Sequence, residues 1–281
     1  MLGFINVYKP SGITSNAVIA SIKRKFRPKK IGHMGTLDPM AEGVLPIAIG
    51  NATRMFDYFL NKSKTYIATF EFGYETDTLD AMGKIEKTTD CLPTEDSVKA
   101  MLSSFIGINN QMPPKYSAKN VNGKRAYDLA RSGIEFELKP KEIEIFEFEY
   151  IDHINNSYTF KITCSGGTYI RSIGRDLGYA LNSLATMTKL VRSVSGKFVI
   201  ENAITMQQID EANAIEDLLI DVTSVFDYKI LCVDSVIAKK LADGMTMIYE
   251  TENGNYFVSF NNEILGVAEV VDNKLKLKTH F

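Results

Sequence analysis

The chain has 281 residues, of which 45% are hydrophobic and 23% charged, a composition that fits a globular protein and excludes an extensively disordered one. Three cysteines far apart in the sequence argue against a disulfide framework and favour the reducing cytoplasm. No stretch approaches the ~20 apolar residues that span a bilayer, no signal peptide is indicated, and no Cys/His pair has the spacing of zinc ligands. We therefore expect a cytoplasmic protein with no membrane contact and no bound metal.

The net charge of −2 hides a gradient along the chain. Residues 1–37 carry seven Lys or Arg and no Asp or Glu, and residues 115–131 carry five Lys or Arg against one Asp. Residues 201–228 reverse this pattern, with seven acids and no Lys or Arg. Local patches govern the binding of a polyanion more than net charge does, so one face could bind nucleic acid. For any single run, a solvated surface is the simpler interpretation.

The first predicted elements lead to a loop that is rich in glycine and proline. Residues 4–8 predict a short strand, and a helix is predicted from Thr14 or Ser15 to about Phe26. Residues 32–46 then hold three glycines, two prolines, a histidine and Asp38, the first acidic residue of the chain. Glycine allows unusual backbone angles and proline removes a donor, so this segment predicts a shaped loop that presents side chains.

The remaining elements mix strands and helices without a regular βαβ repeat. This pattern predicts the α+β class with a largely antiparallel sheet, and a small β-rich appendage from about residue 229. The predicted strands are 44–49, 64–73, 141–151 with a bulge at Ile145 and Phe146, 158–164, and a hairpin of 256–260 and 264–270 joined by Asn261 and Asn262. The predicted helices are 51–60, 94–106, 126–131, one that begins at Thr168, an acidic one over 204–221, and 236–241.

Several enzyme classes lack their motifs here. There is no G-x-S-x-G elbow, no phosphate-binding glycine loop and no H-E-x-x-H pair. What remains is an aspartate, a tyrosine on a strand and an arginine near a helix start. Arg171 near Asp38 would keep that carboxylate ionised, as a nucleophile requires, and Tyr66 could stack on a base extruded from RNA.

Each of these residues also has a structural interpretation. Asp38 before Pro39 is a good helix N-cap with proline at the first helical position. Tyr66 in an alternating strand is typical of core packing, and Arg171 is typical of a surface or structural salt-bridge residue. His33 could be a loop residue that makes one hydrogen bond. The residues alone therefore support an RNA-binding α+β protein with a loop that resembles a catalytic one.

Four blocks, in family order across residues 4–193, resemble the bacterial tRNA pseudouridine-55 synthases, the B-type pseudouridine synthase family. The longest block, residues 32–43, is similar to the catalytic motif of that family. The other blocks are residues 7–15, which resemble the N-terminal signature, residues 64–66 with residues 76–83, and residues 164–173.

The resemblance implies a catalytic domain with a mixed, mainly antiparallel sheet over residues 1–228 and a small PUA-like RNA-binding domain over residues 229–281. It implies that uridine-55 in the T-loop of tRNA is isomerised to pseudouridine without a metal or a cofactor. The implied partner of this monomeric enzyme is the T-arm stem–loop of tRNA. A non-catalytic RNA-binding protein or tRNA folding chaperone is the alternative.

The resemblance also implies residue roles. Asp38 is the nucleophile, either by attack on the ribose C1′ or by deprotonation or addition chemistry that frees the base, and both routes stay open. Arg171 pairs with Asp38, and Tyr66 stacks on the target base and handles the proton at C5. The implied substrate contacts are Tyr169 and Leu190 at the target nucleotide, His33 in the space that the flipped base leaves, and, more weakly, Arg192 and Lys64, with Lys64 bracing the catalytic loop.

Overall fold

The computed structural model describes residues 1–117, 119–121 and 123–281. The first nine strands are β1 (Gly3–Lys9), β2 (Ile31–His33), β3 (Glu42–Ile49), β4 (Lys64–Phe72), β5 (Tyr74–Thr76), β6 (Ile85–Thr88), β7 (Gly107–Gln111), β8 (Asn120–Val121) and β9 (Lys124–Arg125). The others are β10 (Lys141–Ile154), β11 (Ser157–Cys164), β12 (Ala185–Ser195), β13 (Phe198–Val199), β14 (Lys229–Cys232), β15 (Thr246–Ile248), β16 (Gly254–Phe260), β17 (Glu263–Val271) and β18 (Lys274–His280). The α-helices are α1 (Ser15–Phe26), α2 (Phe56–Leu60), α3 (Glu95–Leu102), α4 (Ala126–Arg131), α5 (Ile170–Ala180), α6 (Met206–Glu211) and α7 (Ser235–Ala242).

A nine-stranded sheet forms the larger part of the molecule. Its order is β1-β3-β12-β4-β11-β10-β7, with β2 beside β3 and β13 beside β12. The pairing of β12 with β3 is parallel, whereas the other pairings in this sheet are antiparallel. This arrangement confirms the α+β class with a mixed, mainly antiparallel sheet. The predicted bulge is also present, as a register shift between Ile145 and Glu147.

Strand β4 lies in the middle of this sheet and follows its sequence pattern closely. Alternate residues of β4 are buried, as the period of two predicts. Helix α5 packs close to it, because a Cβ added at Gly174 would lie 2.7 Å from the Phe70 ring. The centre of the sheet therefore supports both Tyr66, on β4, and Arg171, on α5.

A second, five-stranded sheet is built from the end of the chain, in the order β14-β16-β17-β18-β15. The predicted hairpin is confirmed, because β16 and β17 pair and both Asn261 and Asn262 have positive φ. Phe257 and Val267 of this sheet join Phe59 and Phe226 in one buried cluster that connects the two sheets. No helix in the described parts of the chain is long and apolar enough to cross a membrane.

Several predicted helices are wrong in extent, and the one predicted over 51–60 is a 3₁₀ helix at Gly50–Met55 followed by α2. The acidic helix over 204–221 is replaced by the short α6 and by 3₁₀ turns, because both ends of this segment bind β1. Ile204 exchanges backbone hydrogen bonds with Asn6 and Tyr8, and Ile220 with Phe4, which requires extended backbone at both ends. The helix predicted from Thr168 begins at Ile170.

The predicted loop over 32–46 is shorter than expected. Its first residues belong to β2 and its last to β3, so the loop itself is residues 34–41. The antiparallel pairing with β1 includes Pro46, which lies in β3 opposite Asn6. Long-range pairing therefore overrides the local signal of glycine and proline at both ends of this segment.

Candidate active site

The 34–41 loop is held by the turn that follows β1. The Lys9 ammonium is fully buried and donates to the carbonyls of Pro10, Ile13 and Pro39, at 2.9, 2.8 and 3.2 Å. The Ser15 hydroxyl donates to the Leu37 carbonyl at 3.0 Å and accepts from the Leu37 amide at 2.9 Å. Two sequence-distant segments therefore form one rigid unit that presents Asp38.

Asp38 is not a helix cap, so that structural interpretation is wrong. Residues 39–40 form a turn, in which the Ala41 amide donates to the Asp38 carbonyl at 3.1 Å, and β3 follows at Glu42. The side chain is consequently free of a capping duty. It keeps 33% of its exposure, which leaves it accessible to a substrate.

Arg171 forms an ion pair with the Asp38 carboxylate through two nitrogen–oxygen contacts, and the contact of Nη2 is a hydrogen bond. The Arg171 Nε lies 2.9 Å from Oδ2 and Nη2 lies 3.2 Å from Oδ1. The guanidinium is nearly buried, with 7% of its side chain exposed, so Arg171 is a structural salt-bridge residue and not a surface one. A bidentate pair of this kind fixes the direction of the carboxylate as well as its charge.

The same guanidinium gathers two further segments around Asp38. Arg171 Nη1 donates to the Thr78 carbonyl at 2.8 Å and lies 3.4 Å from Oδ2 of the buried Asp80. Its Nη2 donates to the Tyr116 carbonyl at 3.1 Å. Arg171 therefore connects the 34–41 loop, the polar turn after β5 and the segment after β7.

The electrostatic setting of Asp38 combines opposing effects. Burial raises the pKa of the Asp38 carboxyl above its ordinary value, the Arg171 charge lowers it, and the nearby Asp80 charge raises it again. Lys9 adds a smaller lowering effect. The carboxylate thus sits in a poorly solvated place with cations beside it, which is the setting of a reactive anion.

Tyr66 reaches this site from β4. It is 8% exposed and belongs to the main hydrophobic cluster, so the core-packing interpretation describes its ring. Its hydroxyl lies near charged groups: burial raises the pKa of Tyr66, whereas the Arg192 charge lowers it and the Asp38 charge raises it. Most of the ring thus packs in the core, while its exposed remainder and its hydroxyl lie near the charges of the site.

Tyr169 and Leu190 lie on the elements that frame the site. Tyr169 is the N-cap residue of α5 rather than a residue within the helix, and its backbone binds the Gln111 side chain at both ends, at 2.8 and 3.0 Å. Burial raises the pKa of its half-buried hydroxyl, whereas the nearby Arg171 charge lowers it. Leu190, 5% exposed, lies on β12 two residues before Arg192 and belongs to the same cluster as Tyr66.

His33 and Lys64 lie further out. His33 ends β2 and lines a cavity of about 420 Å³ together with Lys23, Lys29, Lys30 and Phe56. Lys64 is buried, and its ammonium donates to the carbonyls of residues 59, 60 and 62, at the end of α2. Lys64 therefore braces α2, and the expectation that it braces the catalytic loop is not met.

Lys9 and Asp80 are site residues that sequence reasoning did not single out. Both stand inside blocks that resemble the family, residues 7–15 and 76–83, so the signal was present in the motifs. Neither residue shows its burial in the local pattern, because both are buried by segments far away in the chain. Within the described residues, no group of three or more His, Cys, Asp or Glu could hold a metal ion.

Comparison with known proteins shows which family the chain resembles. The family model for the N-terminal domain of the TruB family pseudouridylate synthases matches residues 23–170. A Clostridium tetani protein named tRNA pseudouridine synthase B is 42% identical over 247 residues, which are 87% of this chain and 85% of the relative. A Rickettsia bellii (strain OSU 85-389) protein of the same name is 38% identical over 277 residues, 96% of this chain and 94% of the relative.

Among solved structures, one titled as an H/ACA RNP bound to a substrate RNA containing 2'-deoxyuridine shares the fold. It superposes with a TM-score of 0.72 at 21% identity, over 99% of this chain and 84% of that chain. A Cbf5-Nop10-Gar1 complex gives a TM-score of 0.71 at 24% identity, over 96% and 78% of the two chains. The family model and the relatives, together with the residues that surround Asp38, lead to one conclusion: this chain belongs to the TruB family of pseudouridylate synthases.

Proposed function

We propose that this protein isomerises uridine to pseudouridine in tRNA, and that its target is uridine-55 in the T-loop. The observation that carries the proposal is the Asp38 carboxylate, which is held by the buried Arg171 at 2.9 and 3.2 Å and remains one-third exposed. The tRNA substrate is supported by the relatives, which are named tRNA pseudouridine synthase B. The T-loop position rests on the sequence blocks that resemble the uridine-55 enzymes.

The reaction is an isomerisation, so the atoms of substrate and product balance. The N1–C1′ bond of uridine breaks, the base turns, and a C5–C1′ bond forms. The proton at C5 is lost and N1 gains one, so no external oxidant or reductant is needed. Asp38 begins this sequence, by attack on C1′ or by chemistry at the base or sugar that frees the base. Arg171 keeps the carboxylate ionised and oriented during either route.

The other site residues act on the base. Tyr66 stacks on the target uracil. The Tyr66 hydroxyl, whose pKa is raised by burial and by the nearby Asp38 charge, takes part in proton transfer at C5. Tyr169 and Leu190 contact the target nucleotide from α5 and β12. His33 occupies the space left in the T-loop when the base turns out of its stack.

RNA binding uses the cationic face at the start of the chain. The cavity beside His33 is lined by three lysines, by the ring of Phe56 and by no acid. Phosphate groups are attracted to such a surface. Binding weakens as the salt concentration rises, because the release of counterions from the RNA then contributes less free energy. Within this proposal, Lys64 contributes positive charge behind α2 rather than a direct contact, since its ammonium is already bound to three carbonyls.

We further propose that residues 1–228 form the catalytic domain and residues 229–281 a PUA-like domain that binds RNA outside the T-loop. The five-stranded sheet that begins at Lys229 supports this division. All of the proposed site residues lie in one chain, so a monomer suffices, and tRNA as substrate favours the cytoplasm. Footprinting of the whole protein on full-length tRNA tests this contact: protection outside the T-arm is expected, and protection confined to the T-arm would contradict it.

Tritium release from a T-arm stem–loop labelled at uridine C5 tests the enzyme. We expect release by the wild-type protein and none by Asp38→Asn, while both bind the stem–loop equally. Mutation of the target uridine to cytidine is the matched RNA control. Binding without release by the wild-type protein would contradict the enzyme and favour a binding protein or tRNA folding chaperone.

A further inference from the structure

Arg192 occupies a position between the two elements that carry the proposed chemistry. On one side its backbone lies opposite Gly43, at the end of the segment that carries Asp38. On the other side it lies opposite Tyr66, on β4. The neighbouring backbones approach closely here, because a Cβ added at Gly43 would lie only 2.3 Å from the Arg192 carbonyl oxygen, and Gly43 has a φ of +104°.

The side chain of Arg192 ties the two arms of the 34–41 loop together. Its Nε donates to the Val44 carbonyl at 2.8 Å, on the arm that leaves the loop. Its Nη2 and Nη1 donate to the carbonyls of Gly35 and Thr36, at 3.1 and 3.4 Å, on the arm that enters it. Three carbonyls on both arms thus share one planar donor group, which fixes their separation.

Arg192 is also a buried charge without a carboxylate partner. It is 2% exposed, and none of the ion pairs in residues 1–117, 119–121 and 123–281 includes it. Arg171, by contrast, pairs with both Asp38 and Asp80. A buried cation is costly unless its charge is used, and Arg192 lies opposite Tyr66 in the sheet, where burial raises the pKa of the Tyr66 hydroxyl and the Arg192 charge lowers it.

We propose that Arg192 is a positioning residue, which sets the distance between the Asp38 loop and the Tyr66 hydroxyl and thereby governs the rate of isomerisation rather than the affinity for RNA. The proposal rests on the function proposed above. Arg192 does not act as a phosphate contact, because its guanidinium is closed off from solvent by the loop itself. Its effect on Asp38 is transmitted through the backbone, since its bonds go to the carbonyls of the loop and not to the carboxylate.

Arg192→Lys is the main test, because lysine retains the charge but cannot bind three carbonyls in a plane. A displacement of about 1 Å costs on the order of 10²-fold in rate, so we expect the single-turnover rate at saturating enzyme to fall by about that factor. The stem–loop Kd and its salt dependence are expected to stay unchanged. Val98→Ala, a core change on α3 with its side chain fully buried, is the control for a loss of stability alone.

A double-mutant cycle with Tyr66→Phe separates positioning from simple support of the fold. If Arg192 orients the Tyr66 hydroxyl, Arg192→Lys must cost less rate when that hydroxyl is already absent. Three results would each overturn the proposal. The first is that the two substitutions reduce the rate additively, and the second is that Val98→Ala loses as much rate at equal thermal stability. The third is a weakened Kd for the stem–loop with an unchanged saturated rate. If Arg192→Lys fails to fold, Arg192→Gln takes its place in the cycle.

Hydrogen exchange gives a readout that does not depend on activity. Loss of the three carbonyl bonds is expected to speed amide exchange in residues 34–41 and 43–45 of Arg192→Lys, with exchange in the C-terminal sheet unchanged. Unchanged exchange in those residues would overturn the positioning role. A wild-type protein that releases no tritium would instead defeat the proposed function, and the exchange experiment would still decide whether Arg192 holds the loop.

Discussion

The region around the 34–41 loop buries charge, whereas the C-terminal sheet keeps its charges at the surface. The buried charged side chains of the described residues all precede residue 193, and they are Lys9, Lys64, Glu75, Asp80, Arg171 and Arg192. In residues 229–281 the ion pairs are exposed, as in Lys229–Glu252, whose side chains keep 72% and 78% of their exposure. The cluster inside that sheet is apolar.

The two regions therefore differ in whether buried charges lose solvation when the protein folds. Buried charges lose solvation and are retained only where partners or function compensate. In the site the partners are mostly backbone carbonyls and two aspartates, which fix geometry more than they stabilise the fold. The C-terminal sheet needs no such geometry, so its core follows ordinary apolar packing.

The largest expected effect is that of Asp38→Asn. Removal of a nucleophile costs roughly 10⁴-fold or more in rate, so tritium release is expected to fall below detection. Asp243→Asn, at an exposed aspartate of the C-terminal region, is the matched control and is expected to leave the rate unchanged. Equal activity of both variants would remove the distinction between the two regions.

Replacement of one cationic residue in each region by methionine compares how much their ion pairs contribute to the free energy of unfolding. Arg171→Met leaves Asp38 and Asp80 facing each other without a cation, and breaking a buried pair in this way costs about 3–5 kcal/mol. Lys278→Met breaks a pair with Glu269 whose side chains are 46% and 42% exposed, and such pairs contribute about 0–1 kcal/mol. Urea denaturation of both variants measures the free energies of unfolding, and similar losses would contradict the comparison.

Tyr66→Phe separates the hydroxyl of the site from the ring of the core. Loss of a group that handles a proton costs on the order of 10²-fold in rate, while the ring keeps its packing and the thermal midpoint changes little. Tyr66→Ala is expected to destabilise the fold by about 3–5 kcal/mol, because it empties a position in the central strand. Circular dichroism and tritium release distinguish the two variants. Full activity of Tyr66→Phe would return Tyr66 to a purely structural role.

The smallest effect concerns pH and the buried Lys64. Burial lowers the pKa of Lys64 to about 8 from its ordinary 10.5, so between these values the unfolded chain binds more protons than the folded one. The contribution of Lys64 to stability is therefore fully present above pH 10.5 and is lost as the pH falls through about 8. Lys64→Met lacks this dependence, so the stability difference between wild type and variant is expected to shift in favour of wild type from pH 8 to pH 10. Denaturation at pH 8 and at pH 10 measures this stability difference, with Lys239→Met, at an exposed residue of α7, as the control.

Local sequence patterns predicted the elements whose structure is itself local. The period of two in residues 64–72 predicted β4, and Asn261 and Asn262 predicted the hairpin because asparagine tolerates positive φ. The blocks around Asp38, Tyr66 and Arg171 predicted the family and the pairing of Asp38 with Arg171. Each of these depends on neighbours along the chain or on motifs within a few residues.

The arrangement of the site was decided by contacts between distant segments. Lys9 is buried where the loop closes over it, and its ammonium donates to the carbonyl of Pro39, 30 residues later. Residues 204–221 have a helical sequence pattern, but both ends of the segment bind β1. Asp38 precedes a proline as a helix cap would, but its side chain binds Arg171, 133 residues later. The sequence by itself determined the class, the family and the chemical groups. Only the tertiary structure decided how those groups meet, because hydrogen bonds across many residues outweigh the local preferences of any one segment.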